Sequence, residues 1–163
     1  GRAYYQGLYG LPKSDTEALS WFRFAADLSK INPAAERNAA RFMIGKFYEK
    51  GLGGLIASDR DAFFWYRAAA ELEYGKAQCK VGLFCWAGRH GLMPSGPEAV
   101  RWLQKASDQG IAKAQYLLGV GYEQGMCGVP KSLKNALIWY TLAANQGYRQ
   151  AVERLSARSL PQP

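Results

Sequence analysis

Apolar and polar positions in this chain follow a helical period, and the same figure returns along its length. Ala18, Trp21, Phe22 and Ala25 line one side of a helix drawn from Ser14 onward, and Ala136, Trp139, Tyr140 and Ala143 repeat that stripe after Ser132. Apolar residues three and four apart mark an amphipathic helix with one face turned to a core. Aligned on these stripes, Ala18 and Trp21 return as Ala62 and Trp65, Ala99 and Trp102, and Ala136 and Trp139, in steps of 44, 37 and 37 residues. The same steps relate Gly7, Gly51, Gly88 and Gly125, then Ser14, Ser58, Ser95 and Ser132, then Gly1, Gly45, Gly82 and Gly119. Separate columns sharing one unequal spacing are the signature of an internal repeat.

Each column has a physical role. The serines precede the apolar stripes, and Glu17 and Glu98 follow Ser14 and Ser95 by three residues, as in a capping box; Asp61 and Asn135 make close variants after Ser58 and Ser132. A helix start is therefore expected at every serine, with Trp65, Trp102 and Trp139 in the core. The other helix of each repeat reads "GKAQCKVGLFCWAG" from Gly75 to Gly88 and "AKAQYLLGVGYEQG" from Ala112 to Gly125. A glycine inside a helix costs about 1 kcal/mol against alanine, so Gly45, Gly82 and Gly119 predict close approach of a second helix. Gly51, Gly88 and Gly125 suit the left-handed residue that ends a helix, and Gly54, Gly91 and Gly128 a loop turn. One repeat is thus a helical hairpin, and stacked hairpins bury what one would leave wet.

The pattern A-x-A-Q-x-x-L-G-x-x-Y-x-x-G, then G-V, A-x-x-W-Y and A-A-x-Q-G, is carried by Ala112, Ala114, Gln115, Leu118, Gly119, Tyr122, Gly125, Gly128, Val129, Ala136, Trp139, Tyr140, Ala143, Ala144, Gln146 and Gly147. It resembles the Sel1-like repeat, a relative of the tetratricopeptide repeat. The resemblance implies an all-α fold, a right-handed α-solenoid of stacked antiparallel hairpins. About four repeats, 1–30, 31–73, 74–110 and 111–147, and a polar capping helix over 148–158 would form one domain. Cys85 departs from the tyrosine column, Leu103 from the second aromatic, and Glu73 from the glycine that ends the second helix. The first junction is seven residues longer, with Asn32 placed as an N-cap and Pro33 after it, which predicts an extended helix opening the second repeat. Gly1 stands in the mid-helix glycine column, so the sequence is expected to be a fragment truncated at its N-terminus, which leaves any leader out of view.

Composition narrows the function classes. The chain has 163 residues, 48% of them hydrophobic and 13% aromatic, and a formal net charge of +8. That content excludes disorder, and the charge favours acidic partners. Cys79, Cys85 and Cys127 lack metal or redox spacing, and the single histidine, His90, sits in a loop sequence without a nucleophile beside it. No catalytic residue, metal ligand or cofactor is therefore expected, and the chain reads as a non-enzyme. Nucleic-acid binding is a weaker alternative, because the aromatics mostly occupy repeat columns and no recognition module is visible.

Repeat solenoids use the face of their first helices for binding. By analogy with tetratricopeptide grooves, the resemblance places Arg2, Tyr5 and Gln6 there in the first repeat, and Phe42, Lys46, Glu49 and Lys50 in the second. Lys76, Cys79, Leu83, Trp86 and Ala87 follow in the third, and Lys113, Tyr116, Val120, Glu123 and Gln124 in the fourth. Trp86 breaks its column, whose other members are Tyr5, Glu49 and Glu123, and reads either as a binding anchor or as a plug against the next repeat. The resemblance implies an adaptor that binds another protein or peptide in a concave groove. An immunity protein that neutralises a secreted toxin such as a phospholipase is the alternative. It also favours a bacterial periplasmic setting, on which the residues themselves are silent.

Overall fold

In the computed structural model, residues 1–27, 34–88, 95–126 and 128–159 are described, and every regular element among them is a helix. These are α1 (Arg2–Gln6), α2 (Asp15–Asp27), α3 (Ala34–Lys50), α4 (Asp59–Ala70), α5 (Gly75–Ala87), α6 (Gly96–Asp108), α7 (Ala112–Gln124), α8 (Leu133–Asn145) and α9 (Arg149–Ser159). Two compact units divide them within the first turn of α5, between Ala77 and Gln78. In the first, α3 packs against both α2 and α4; in the second, α7 packs against α6 and α8, and α9 covers α8. At 17 residues α3 is the extended helix expected for the second repeat, while Asn32 and Pro33 lie outside the described residues.

Helices α2, α4, α6 and α8 begin directly after the serine column. The Oγ of Ser58 accepts from the Asp61 N–H at 3.2 Å, that of Ser132 from Asn135 at 3.2 Å, and that of Ser14 from Glu17 at 3.3 Å. Ser95 is the exception: it occupies the N-cap without a side-chain bond. Pro97 has no N–H to give, which removes one of the two donors such a cap uses, and the Glu98 carboxylate accepts from Trp102 Nε1 at 3.4 Å. A backbone bond is common to all four starts. The N–H groups of Ser14, Ser58, Ser95 and Ser132 donate to the carbonyls of Tyr4, Tyr48, Cys85 and Tyr122 at 2.8–3.0 Å. That bond uses no side chain, so the cysteine in the tyrosine column leaves the loop closed.

The mid-helix glycines are explained by rings. A β-carbon added to Gly45 would lie 2.8 Å from the Tyr66 ring, one on Gly119 2.6 Å from Tyr140, one on Gly1 2.7 Å from Phe22, and one on Gly82 2.8 Å from the Leu103 side chain. Tyr66, Leu103 and Tyr140 are fully buried in consequence. The tryptophan column behaves otherwise than its stripe predicts. Trp102 is 8% exposed, but Trp65 and Trp139 are only half-buried and Trp21 is 48% exposed. Consecutive helical residues point about 100° apart, so the residue after each tryptophan takes the centre of the interface and the tryptophan its edge.

The turns that close α6 and α8 contain Gly110 and Gly147 at φ 76° and 75°, and Glu73 stands at the same place after α4 with φ 61°. A β-carbon in that left-handed region costs on the order of 1–2 kcal/mol, which packing around the turn has to offset. Glu73→Gly should therefore raise the unfolding free energy by about 0.5–1 kcal/mol, the gain being reduced by glycine's extra freedom in the unfolded chain. Gly119→Ala should lower it by about 1–3 kcal/mol through overpacking against Tyr140. Urea denaturation of both variants beside the parent checks the pair, and a Gly119→Ala protein as stable as the parent would refute the ring contact as the reason for that glycine.

Candidate functional site

In the first unit the predicted facing residues lie on α1, α3 and the start of α5. Tyr5 is tilted against Phe47 with ring centroids 5.5 Å apart, and Lys46 holds its Nζ 5.2 Å from the Tyr5 centroid. Phe42 sits between Tyr66 and Tyr74, at 5.4 and 5.5 Å. Glu49 accepts a 2.6 Å bond from the Tyr66 hydroxyl. These side chains belong to the packing of the unit as much as to its surface. Arg2, Gln6, Lys50 and Lys76 extend into solvent.

The second unit repeats the theme on α5 and α7. Tyr116 lies between Tyr140 at 5.6 Å and Tyr148 at 5.3 Å. Glu123 accepts 2.6 Å from the Tyr140 hydroxyl and 3.2 Å from Arg154 of α9. Burial pushes the Tyr140 phenol up from its ordinary value, partly opposed by Arg154, so at neutral pH it is the donor in that bond. Lys113, Gln124 and Ala87 are exposed, whereas Leu83, Trp86 and Val120 are half-buried. Cys79 is 4% exposed and packs with Leu103, Ala106, Ala114 and Leu118. Burial pushes its thiol up to about 11, with Lys113 and Lys80 pulling the other way, so it stays neutral and offers nothing to a partner. His90 and Cys127 lie outside the described residues. Among the described residues no cluster of His, Cys, Asp and Glu could hold a metal ion, and no helix is long and apolar enough to cross a membrane.

Residues 1–30, 38–74, 75–111 and 112–148 each match the family model of the Sel1 repeat. Among solved structures, a Sel1 repeat protein from Oxalobacter formigenes is 29% identical, with a TM-score of 0.80 over 92% of this chain and 57% of its own. The protein c5321, a protective antigen present in uropathogenic Escherichia coli strains and displaying an SLR fold, is 26% identical, with a TM-score of 0.79 over 96% of this chain and 31% of its own. The chain therefore spans little more than half of the first protein and under a third of the second. No curated protein matches it in sequence.

Within this frame four columns change together. The second and fourth matched stretches carry an aromatic set closed by a carboxylate: Phe42, Tyr66, Tyr74 and Glu49, then Tyr116, Tyr140, Tyr148 and Glu123. At the same places the third stretch has Cys79, Leu103, Ile111 and Trp86, and all four pack in one cluster. Leucine has no hydroxyl for a carboxylate to accept from, and a glutamate at 86 would face an apolar group. The tryptophan supplies the volume that the missing rings leave, and its own ring approaches to 3.5 Å of a β-carbon built on Gly121.

The exchange makes position 86 dependent on position 103. Trp86→Glu alone should destabilise the protein by about 2–4 kcal/mol, as burial of an unpaired carboxylate and loss of a large side chain do. Adding Leu103→Tyr supplies a hydroxyl donor and should recover at least about 1 kcal/mol of that loss, a coupling within the range of contacting pairs. A double-mutant cycle by chemical denaturation measures it, and additive losses would show that the two columns are independent.

Proposed function

Because this chain belongs to the Sel1 repeat family, we propose that it is a non-enzymatic scaffold that binds a partner protein or peptide through the faces of its first helices. Sel1 repeat proteins generally mediate protein–protein interactions. Support for an acidic partner comes from the way charge is distributed on those faces. Glu49 and Glu123 are held by tyrosine hydroxyls, and Glu123 also by Arg154, whereas Lys50, Lys76 and Lys113 are exposed. A partner approaching either unit thus meets lysines first, on a chain whose formal charge is +8. Cations of this kind act chiefly on the rate of encounter and are screened by salt, while apolar contacts such as the open edges of Tyr5, Tyr116 and Trp86 govern the lifetime of a complex.

Affinity capture from the source organism, followed by kinetics with the recovered protein, tests the reading. Association should slow steeply between about 50 and 500 mM salt, over which the Debye length shrinks. Reversing Lys50, Lys76 and Lys113 to glutamate should cut the association rate by about tenfold or more with little change in dissociation. Unaltered kinetics in that triple variant would remove these faces as the binding surface. Assaying the partner's own activity with and without this chain then separates an adaptor, which leaves it intact, from an inhibitor.

A further inference from the structure

Between α2, α3 and α4 of the first unit lies a cavity of about 440 Å³, walled by Arg23, Ala26, Asp27, Arg41, Tyr48 and Trp65. Pockets for small ligands run from about 300 to 1,000 Å³. None of the residues assigned above to a partner lines it.

The cavity interrupts the repeat. Arg41 stands in the column that holds Gln78 and Gln115 in the next two repeats, and each of those glutamines is buried and paired with another. Gln109 Nε2 donates to Gln78 Oε1 at 2.9 Å, and Gln146 Nε2 to Gln115 Oε1 at 2.8 Å. The second member of the pair in the first unit would be Leu72, whose side chain has no polar group, so the amide bridge cannot form there. Arg41 turns to the cavity instead. It is half-buried, and no ion pair among the described residues uses it.

Two further groups aim at the same space. Arg23 Nη2 lies 3.5 Å from the Tyr48 oxygen, where it donates, which leaves the hydroxyl proton of Tyr48 available to another acceptor. Trp65 adds a flat apolar wall. Among the described wall residues, two guanidinium groups stand against the single carboxylate of Asp27, a net charge of +1. A monoanion balances that charge, whereas a dianion would exceed it and meet Asp27. Guanidinium forks match the two oxygens of a carboxylate.

We propose that this cavity binds a carboxylate carried on a flat apolar body, with the carboxylate between Arg23, Arg41 and the Tyr48 hydroxyl and the body against Trp65. Such a group comes either from a free organic acid or from the end of a protein chain. Titration calorimetry on the whole chain compares benzoate with benzamide, and a short peptide ending in a phenylalanine carboxylate with the same peptide amidated. Benzoate should bind saturably and benzamide should not. Arg41→Gln places the residue that the column carries elsewhere and should keep the parent melting temperature while weakening benzoate about tenfold or more. Tyr48→Phe should weaken it severalfold, which keeps the test available if the glutamine variant folds poorly. Lys134→Ala, in the second unit, should leave it unchanged. A carboxylate-ended peptide binding more tightly than benzoate, with its amide inert, identifies the ligand as a chain end; benzoate binding alone identifies a free acid. Equal binding of benzoate and benzamide, unchanged binding in Arg41→Gln, or no binding of either acid at about 10 mM overturns the proposal.

Discussion

The distance between the two helices of a hairpin governs the rest of this molecule. Gly45 and Gly119 let a tyrosine ring lie where a β-carbon would otherwise be, at 2.8 and 2.6 Å, and Gly82 does the same for Leu103. The backbones approach closely enough that one large residue on the opposing helix takes the centre of the interface, with alanines on either side of it. Its neighbours in sequence are displaced to the margin, which is why Tyr66 and Tyr140 are fully buried and Trp65 and Trp139 are not. Close approach also carries the tyrosine hydroxyls through to the far side, where they donate hydrogen bonds to Glu49 and Glu123. The face proposed for binding is thus shaped from behind, by the tyrosine contact between the helices.

Features encoded within one helix or turn were legible in the sequence. Serine caps, left-handed glycines and the helix starts follow from local chemistry, and they stand where the columns put them, with Ser95 altered by the proline two residues on. What the stripes could not resolve was position across a face. A period of 3.6 residues marks a side of a helix, and whether the centre of that side is Trp65 or Tyr66 depends on where the partner helix carries its glycine. Trp86 was undecidable for a similar reason. Read down its own column it is an anomaly, and only with Leu103, Cys79 and Ile111 beside it does it become one part of a set.

Arg41 and the candidate face show the same limit from the side of function. An arginine in a glutamine column attracts no notice in sequence, since its significance rests on Leu72 having no side-chain amide to offer. Arg154 was legible only as part of a polar last helix, yet it ties α9 to Glu123 of α7. In the structure Glu49 and Glu123 are drawn into bonds with tyrosine hydroxyls, and Glu123 with Arg154 as well, while Lys50, Lys76 and Lys113 stay exposed.

The joint exchange of Phe42, Tyr66, Tyr74 and Glu49 for Cys79, Leu103, Ile111 and Trp86 bears on how such arrays can be recombined. The closure of the hairpin is common to the four repeats, through the same serine-to-carbonyl backbone bond. The side-chain filling is not. It comes in one version in the second and fourth matched stretches and in another, built on Leu103 and Trp86, in the third, and half of one set against half of the other leaves a carboxylate without its hydroxyl or a tryptophan without its room. A splice that falls between repeats moves an intact set, whereas one that falls inside α5, after Cys79 and before Trp86, divides it. For this chain the smallest part that can be transplanted is the whole hairpin together with the residue that opens the next.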